Sequence, residues 1–122
     1  MSTVQRLAVQ EIGDVTIVRF LDSRVTNPME IEDLGQQLYH VLEAKNNCSK
    51  LVLDFSPVEF LSSATIGKLM SLNRKVKQSK VALRLCNLRQ EIRDVFRICN
   101  LDRMFEIHED QAEAIASFQE AG

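Results

Sequence analysis

Residues 51–77 read LVLDFSPVEFLSSATIGKLMSLNRKVK, and this stretch decides the fold. It begins within the compact apolar run KLVLDF (50–55), which is typical of a buried strand. Ser62 or Ser63 then begins a helix, because a serine hydroxyl satisfies free amides at a helix N-terminus. The helix side predicted to face the core carries Ile66, Leu69, Met70, Asn73 and Val76. The stretch therefore predicts one strand–helix unit of an α/β protein.

Two strands are predicted before this unit, over residues 4–11 and 14–21. The Gly13-Asp14 turn between them is short, so we expect the two strands to be antiparallel. The second strand is apolar on both faces, which predicts a position inside the sheet. A helix then runs from about Pro28 to Ala44, because Asn27 is a good N-cap and Glu30 can complete a capping box.

The alternation of strands and helices continues to the end of the chain. VALRLC (81–86) and MFEIH (104–108) are predicted strands, and Asn100 can end the helix between them in a left-handed conformation. Asp110 caps a final helix. The apolar face of the third helix is predicted to comprise Leu88, Ile92, Val95, Phe96 and Cys99.

This order, β-β-α-β-α-β-α-β-α, predicts the fold class. Strands that alternate with helices pair in parallel through right-handed crossovers. We therefore expect an α/β fold with a mixed sheet of about five strands, antiparallel at one edge and otherwise mainly parallel, packed with four helices. A length of 122 residues is that of one ordinary domain, so residues 1–122 are expected to form a single domain.

Composition limits the partners and the location. The net charge of −2 gives no strong field toward nucleic acid, so no direct nucleic-acid binding is expected. No apolar run approaches the ~20 residues that a membrane-spanning helix needs, and the N-terminus lacks the pattern of a secretory signal. The expectation is a cytoplasmic protein with no membrane partner.

The residues that often carry chemistry are isolated. Cys48, Cys86 and Cys99 are odd in number and show no C-x-x-C spacing, so they are interpreted as small buried side chains without a disulfide or zinc site. His40 is predicted to lie on the surface and His108 at the start of the last helix. Neither histidine has metal-ligand neighbours, and no metal is predicted.

No catalytic constellation or cofactor motif is found in the sequence. There is no glycine-rich phosphate loop. Asp54 could be read as the phosphoacceptor of a receiver domain, but the acidic pair after the first strand and a lysine beyond Lys80 are missing. The two serines lack the G-x-S-x-G elbow and a neighbouring base that would activate a hydroxyl.

Arg89, Arg93 and Arg97 form a stripe along the third helix. A solvated surface is the favoured interpretation, and docking of an acidic partner is the alternative. Ser62 and Ser63 remain open between a helix cap worth ~1 kcal/mol and a modification site. A phosphate would add a charge of roughly −1.5 to −2, which a helix N-terminus tolerates.

At this point the chain resembles a STAS domain, and specifically a stand-alone anti-sigma factor antagonist. Three segments in the expected order carry the resemblance, which covers essentially the whole chain. They are LVLDFSPVEFLSSATIGKLMSLNRKVK (51–77), VFRICNLDRMFEIHEDQAEAIASF (95–118) and FLDSRVTNPMEIEDL (20–34).

The resemblance implies a regulatory binding protein and no enzyme activity. Members of the family bind an anti-sigma factor, usually a serine kinase, and thereby free a sigma factor. The kinase phosphorylates a serine at the start of the second helix, and a phosphatase reverses this. By position the acceptor is Ser63, with Ser62 as an alternative. Ser62 stands where the family motif has aspartate, and Thr65 stands where it has glycine.

The resemblance also implies a partner surface around this serine. Its predicted residues are Asp22, Ser23, Arg24, Ser62, Ser63, Ala64, Thr65, Ile66 and Lys68. A monomer or weak dimer is expected, without a cofactor. The alternative that stays open is a STAS scaffold or docking module that is never phosphorylated, which the replacement of the motif aspartate favours.

Overall fold

The computed structural model describes residues 4–44 and 49–120. Its strands, in chain order, are β1 (Leu7–Ile12), β2 (Val15–Phe20), β3 (Arg24–Val25), β4 (Lys50–Asp54), β5 (Phe60–Leu61), β6 (Ala82–Cys86) and β7 (Glu106–His108). Its helices are α1 (Pro28–Ala44), α2 (Ser63–Gln78), α3 (Gln90–Ile98) and α4 (Gln111–Glu120), with a 3-10 turn at Leu101–Arg103.

Five of these strands form one mixed sheet in the order β1-β2-β4-β6-β7. β1 and β2 are antiparallel, with Leu7 opposite Phe20, and every other neighbouring pair in this sheet is parallel. The turn between β1 and β2 places Gly13 at a φ of 60°, which glycine adopts without a steric penalty. The predicted fold class, with its antiparallel edge, is confirmed.

A second, two-stranded sheet was not predicted. β3 and β5 pair in parallel, with Arg24 opposite Phe60 and Val25 opposite Leu61. Strands of two residues are too short to show a hydrophobic period, so the sequence gives no sign of them. Their pairing holds the loop after β2 beside the start of α2.

The helices divide between the two faces of the main sheet. Residues of α1, α2 and α3 pack on one face in a large core, whereas α4 packs on the other through Ala114 and Phe118. Alternation along β4 supplies both cores, since Leu51 and Leu53 join the large core and Val52 the small one. Each face of the sheet is therefore covered by helices.

The predicted helix ends agree with the structure. α1 runs from Pro28 to Ala44, and the Asn27 side-chain oxygen accepts a hydrogen bond from the Met29 amide at 2.8 Å. Asp110 caps α4 by accepting from the Glu113 amide at 2.9 Å, and Asn100 is left-handed with a φ of 59°.

Three predicted core positions are wrong. Met70 and Val95 are each 38% exposed, because they lie at the edge of the buried stripe of their helices. Cys99 is exposed, because α3 ends at Ile98 and Cys99 follows the last helical residue. Cys86 is buried as predicted, and burial raises the pKa of its thiol to about 12. Cys48 lies outside the described residues.

Candidate functional site

The two serines at the start of α2 have different surroundings. Ser62 is the N-cap, with extended backbone, and its hydroxyl accepts a hydrogen bond from the Thr65 amide at 3.2 Å. Ser63 is the first helical residue and is exposed. Its hydroxyl makes no hydrogen bond with any residue in the ranges 4–44 and 49–120. The capping role therefore falls to Ser62, and the Ser63 hydroxyl faces solvent.

Thr65 supports the position of Ser62 from the buried side of the helix. Its hydroxyl lies 3.0 Å from that of Ser62 and donates a long hydrogen bond, at 3.5 Å, to the Val25 carbonyl. Its side chain is only 2% exposed, so Thr65 is too deeply buried to touch a partner. Its predicted place in the contact surface is thus corrected to a supporting role that links α2 to β3.

The loop between β2 and β3 lies beside the serines. The Ser23 carbonyl accepts hydrogen bonds from the Glu59 and Phe60 amides at 2.9 and 3.3 Å. The guanidinium of Arg24 lies over the Phe60 ring, 5.5 Å from its centroid. Backbone pairing and a cation–π contact therefore bring this loop to the chain segment that leads into Ser62.

The predicted site residue Asp22 is held by a residue that the sequence analysis missed. Arg6 is 8% exposed, and its guanidinium lies 2.9 Å from Asp22, 3.0 Å from Asp33 and 3.6 Å from Glu30. Burial acts to lower the pKa of Arg6, but its hydrogen bonds to Asp22 and Asp33 outweigh burial and raise that pKa overall. We call these four residues the Arg6 cluster, and it ties the site loop to α1.

The remaining predicted site residues follow along α2. Ala64 is exposed, and Ile66 is half-buried against the large core. Lys68 was expected to be exposed, but its ammonium group lies 2.6 Å from a carboxylate oxygen of Glu32 on α1. Lys68 therefore contributes to the contact between α1 and α2, and the most accessible residues at the start of α2 are Ser63 and Ala64.

Asp54, at the end of β4, occupies a second polar site on the α4 side of the sheet. Its carboxylate accepts hydrogen bonds from the Ser56 amide at 2.9 Å, Asn87 at 3.0 Å and Gln111 at 2.6 Å. Burial acts to raise the pKa of Asp54, but the hydrogen bonds outweigh burial and lower it overall. These four residues, the Asp54 network, join β4, the end of β6 and α4.

The two histidines and the arginine stripe, which the sequence analysis also considered, are distant in sequence from Ser62 and Ser63. His40 is exposed, as predicted. His108 ends β7, where its ring nitrogens lie 2.8 Å from Glu106 and 3.1 Å from Glu113. In the arginine stripe, Arg93 pairs with Glu109 at 3.0 Å and Arg97 with Asp94 at 3.2 Å. Arg93 and Arg97 thus each have a carboxylate partner among the described residues.

The candidate site is a surface with only a very small cavity beneath it. The cavity beneath Asp22 and Thr65 measures about 10 Å³, which is far smaller than the roughly 300–1,000 Å³ of small-molecule pockets. Over residues 4–44 and 49–120, no helix has the length and apolar character needed to cross a bilayer. The geometry therefore suits contact with another macromolecule better than enclosure of a small ligand.

The mixed sheet with its antiparallel edge and four helices matches the STAS-like α/β fold. The family model for the STAS domain matches residues 6–114. This chain belongs to the STAS domain family.

Similar proteins include anti-sigma factor antagonists. Over 97 residues the chain is 26% identical to BtrV of Bordetella bronchiseptica, whose name describes a candidate anti-sigma factor antagonist; the match covers 80% of this chain and 82% of BtrV. An anti-sigma factor antagonist (STAS) domain protein from Planctomyces limnophilus has the same fold, with a TM-score of 0.79 and 20% identity over 91% of this chain and 96% of that one. The Bacillus cell fate determinant SpoIIAA, solved in its phosphorylated form, aligns with a TM-score of 0.65 and 14% identity over 92% and 98% of the two chains.

Proposed function

We propose that this protein is an anti-sigma factor antagonist that binds an anti-sigma serine kinase and is switched by phosphorylation of Ser63. Membership of the STAS family and the similarity to BtrV support the antagonist role. The proposal places the protein in the cytoplasm, where sigma factors act, and requires a phosphatase that restores the binding form.

The observation that carries the proposal is the division of roles between the two serines. Ser62 supplies the cap, so Ser63 is free to accept a phosphate without loss of a hydrogen bond that the helix needs. A phosphate on the first helical residue also lies at the positive end of the helix dipole. Phosphorylation at Ser63 would therefore change the surface charge and leave the fold intact.

The switch follows from differential binding. A phosphate of roughly −1.5 to −2 charge at a closely packed contact introduces repulsion and a desolvation cost, and each 1.4 kcal/mol lowers affinity tenfold. The contact surface that we propose comprises Asp22, Ser23, Arg24, Ser62, Ser63, Ala64 and Ile66, with Thr65 and Lys68 as supports.

The test is recovery of partners and phosphate from the native host. Tagged wild type, Ser63→Ala and Ser63→Asp chains are isolated with phosphatase inhibitors, and phosphate is mapped by mass spectrometry. We expect phosphate on Ser63, a kinase of the histidine-kinase ATPase type with wild type and Ser63→Ala, and at least about tenfold less of it with Ser63→Asp.

The matched control is Ser71→Ala, because Ser71 lies on the same helix two turns further on. It should retain both the phosphate and the partner. Absence of phosphate from Ser63 while the co-purified kinase is active would remove the switch. Phosphate on Ser62 in its place would move the acceptor by one residue.

The second candidate function is a STAS docking module that is never phosphorylated. Ser62 in the position of the motif aspartate favours it, because the acceptor then lacks an adjacent charge. This function predicts that Ser63→Ala leaves partner recovery and transcriptional output at their wild-type levels, with no phosphate on either serine.

A further inference from the structure

A groove lies between β5 and α3, next in sequence to the candidate phosphorylation site. It is lined by Glu59, Phe60, Leu61, Glu91, Ile92 and Val95, and we call it the α3 groove. β5 leads directly into Ser62, so one wall of the groove is continuous with the start of α2.

The floor of the groove is apolar and accessible. Phe60 is 42% exposed and Val95 38%, and Ile98, one turn beyond Val95 on α3, is 76% exposed. Single exposed apolar residues are normal, but several together beside a binding surface mark a contact region. Val95, which the periodicity of α3 had placed in the core, lines this groove.

The groove accommodates about one side chain. Its volume is about 90 Å³, against the roughly 10–15 Å³ that admits one water molecule. Small-molecule and cofactor pockets measure roughly 300–1,000 Å³, so a cofactor is excluded by size. A single aliphatic side chain from another protein fits the space.

The rim specifies the charge of that partner. Glu59 and Glu91 are both exposed and lie on the two walls of the groove. Within residues 4–44 and 49–120, neither carboxylate has a salt-bridge partner. Complementary charges across an interface fix register and raise association rates, and two unpaired carboxylates around an apolar floor call for basic groups.

We infer that the α3 groove receives an apolar side chain of the anti-sigma partner, from a segment that carries Lys or Arg on either side of that side chain. The inference rests on the proposed function for the identity of the partner. It extends the contact surface from the start of α2 across β5 onto α3, and assigns specificity to Glu59 and Glu91.

Site-specific photo-crosslinking of the full chain in its native host tests this inference. p-Benzoylphenylalanine is placed at Val95, at Ala64 beside Ser63, and at Ala116 on α4 as a control on the opposite face of the sheet. A second probe at Ile98 tests the same surface if the substitution at Val95 prevents folding. Circular dichroism checks that each chain is folded. Crosslinked partner peptides are then sequenced by mass spectrometry.

The expected result is one kinase crosslinked from both Ala64 and Val95. The Val95 crosslink should map to a segment with basic residues around an apolar one, and Glu59→Lys with Glu91→Lys should reduce its yield by about tenfold. The inference is overturned if the crosslinking yields at Val95 and Ile98 are no higher than the yield at Ala116. It is also overturned if the crosslinked segment is acidic or uncharged.

The Ala64 probe reports on the proposed function separately. A kinase crosslinked from Ala64 alone therefore overturns the groove and not the antagonist role. A basic-flanked segment of another protein crosslinked from Val95, without a kinase at Ala64, retains the groove chemistry but overturns both the partner assignment and the antagonist role.

Discussion

The Arg6 cluster and the Asp54 network hold a buried charge in two different ways. Arg6 is a cation surrounded by three carboxylates that are partly open to solvent, with side-chain exposures of 25–42%. Asp54 is an anion that is 3% exposed and hydrogen-bonded to neutral donors. The first cluster supports the candidate binding loop, whereas the second joins α4 to the sheet.

The two clusters should therefore respond differently to the loss of their central residue. Loss of Arg6 leaves like charges together, but water can approach them. Loss of the buried Asp54 carboxylate leaves three donors without their acceptor, of which Asn87 and Gln111 are half-buried and Ser56 is exposed. Three donors that lose their acceptor together should cost more than repulsion between carboxylates that water can screen. The Asp54 network should therefore matter more to stability and the Arg6 cluster more to binding.

The largest expected effect is that of Asp54→Ala, which should lower the free energy of unfolding by about 3 kcal/mol because three donors lose their acceptor. Urea unfolding followed by circular dichroism measures it. Asp54→Asn is the matched control, since its oxygen can still accept from Ser56 and Asn87 and its amide can face a rotated Gln111 amide. A loss as large in Asp54→Asn as in Asp54→Ala would show that the charge itself matters more than the acceptor atoms.

Arg6→Met comes next, with an expected loss of about 2 kcal/mol, because the remaining carboxylates repel one another from partly hydrated positions. At 1 M salt, where the screening length is about 3 Å, this loss should shrink, whereas the loss in Asp54→Ala should not. Arg24→Met is the control, because Arg24 is exposed and its guanidinium lies over the Phe60 ring. Equal salt dependence of the Arg6 and Asp54 variants would contradict the contrast between the two clusters.

These two clusters also show which parts of the structure could be predicted from the sequence. The caps and the 3.6-residue period predicted α1 from Pro28 to Ala44, and alternation of elements predicted the main sheet. The Arg6 cluster could not be predicted from the sequence, because its carboxylates come from distant positions on a loop and a helix. Resemblance predicted Ser63 as the acceptor and favoured Ser62 as the cap, and the hydrogen bond from the Thr65 amide to the Ser62 hydroxyl confirms the cap.

Lowering the pH should reduce the stability that the Asp54 network contributes. The pKa of Asp54 is lower in the folded protein than the ordinary value for an aspartate, so its carboxylate stabilises the fold above about pH 4. That contribution disappears as the pH falls through the folded pKa. The stability difference between wild type and Asp54→Asn should therefore be constant from neutral pH to about pH 4.5 and decrease below about pH 4. Urea titrations across this range measure it, and a difference that grows toward low pH would contradict the assigned direction.

The smallest effects distinguish the two serines on the binding side of the molecule. Ser62→Ala should lower the free energy of unfolding by about 1 kcal/mol, since the Thr65 amide loses its capping oxygen. Ser63→Ala should stay within about 0.5 kcal/mol of wild type, because the Ser63 hydroxyl is exposed. Thermal and urea unfolding of the two variants side by side measure the difference. A cost for Ser63→Ala equal to that for Ser62→Ala would mean that Ser63 shares the cap, and a phosphate there would then disturb the helix as well as the partner. A negligible cost would assign the stability of this helix end to Ser62 and leave Ser63 to the proposed switch.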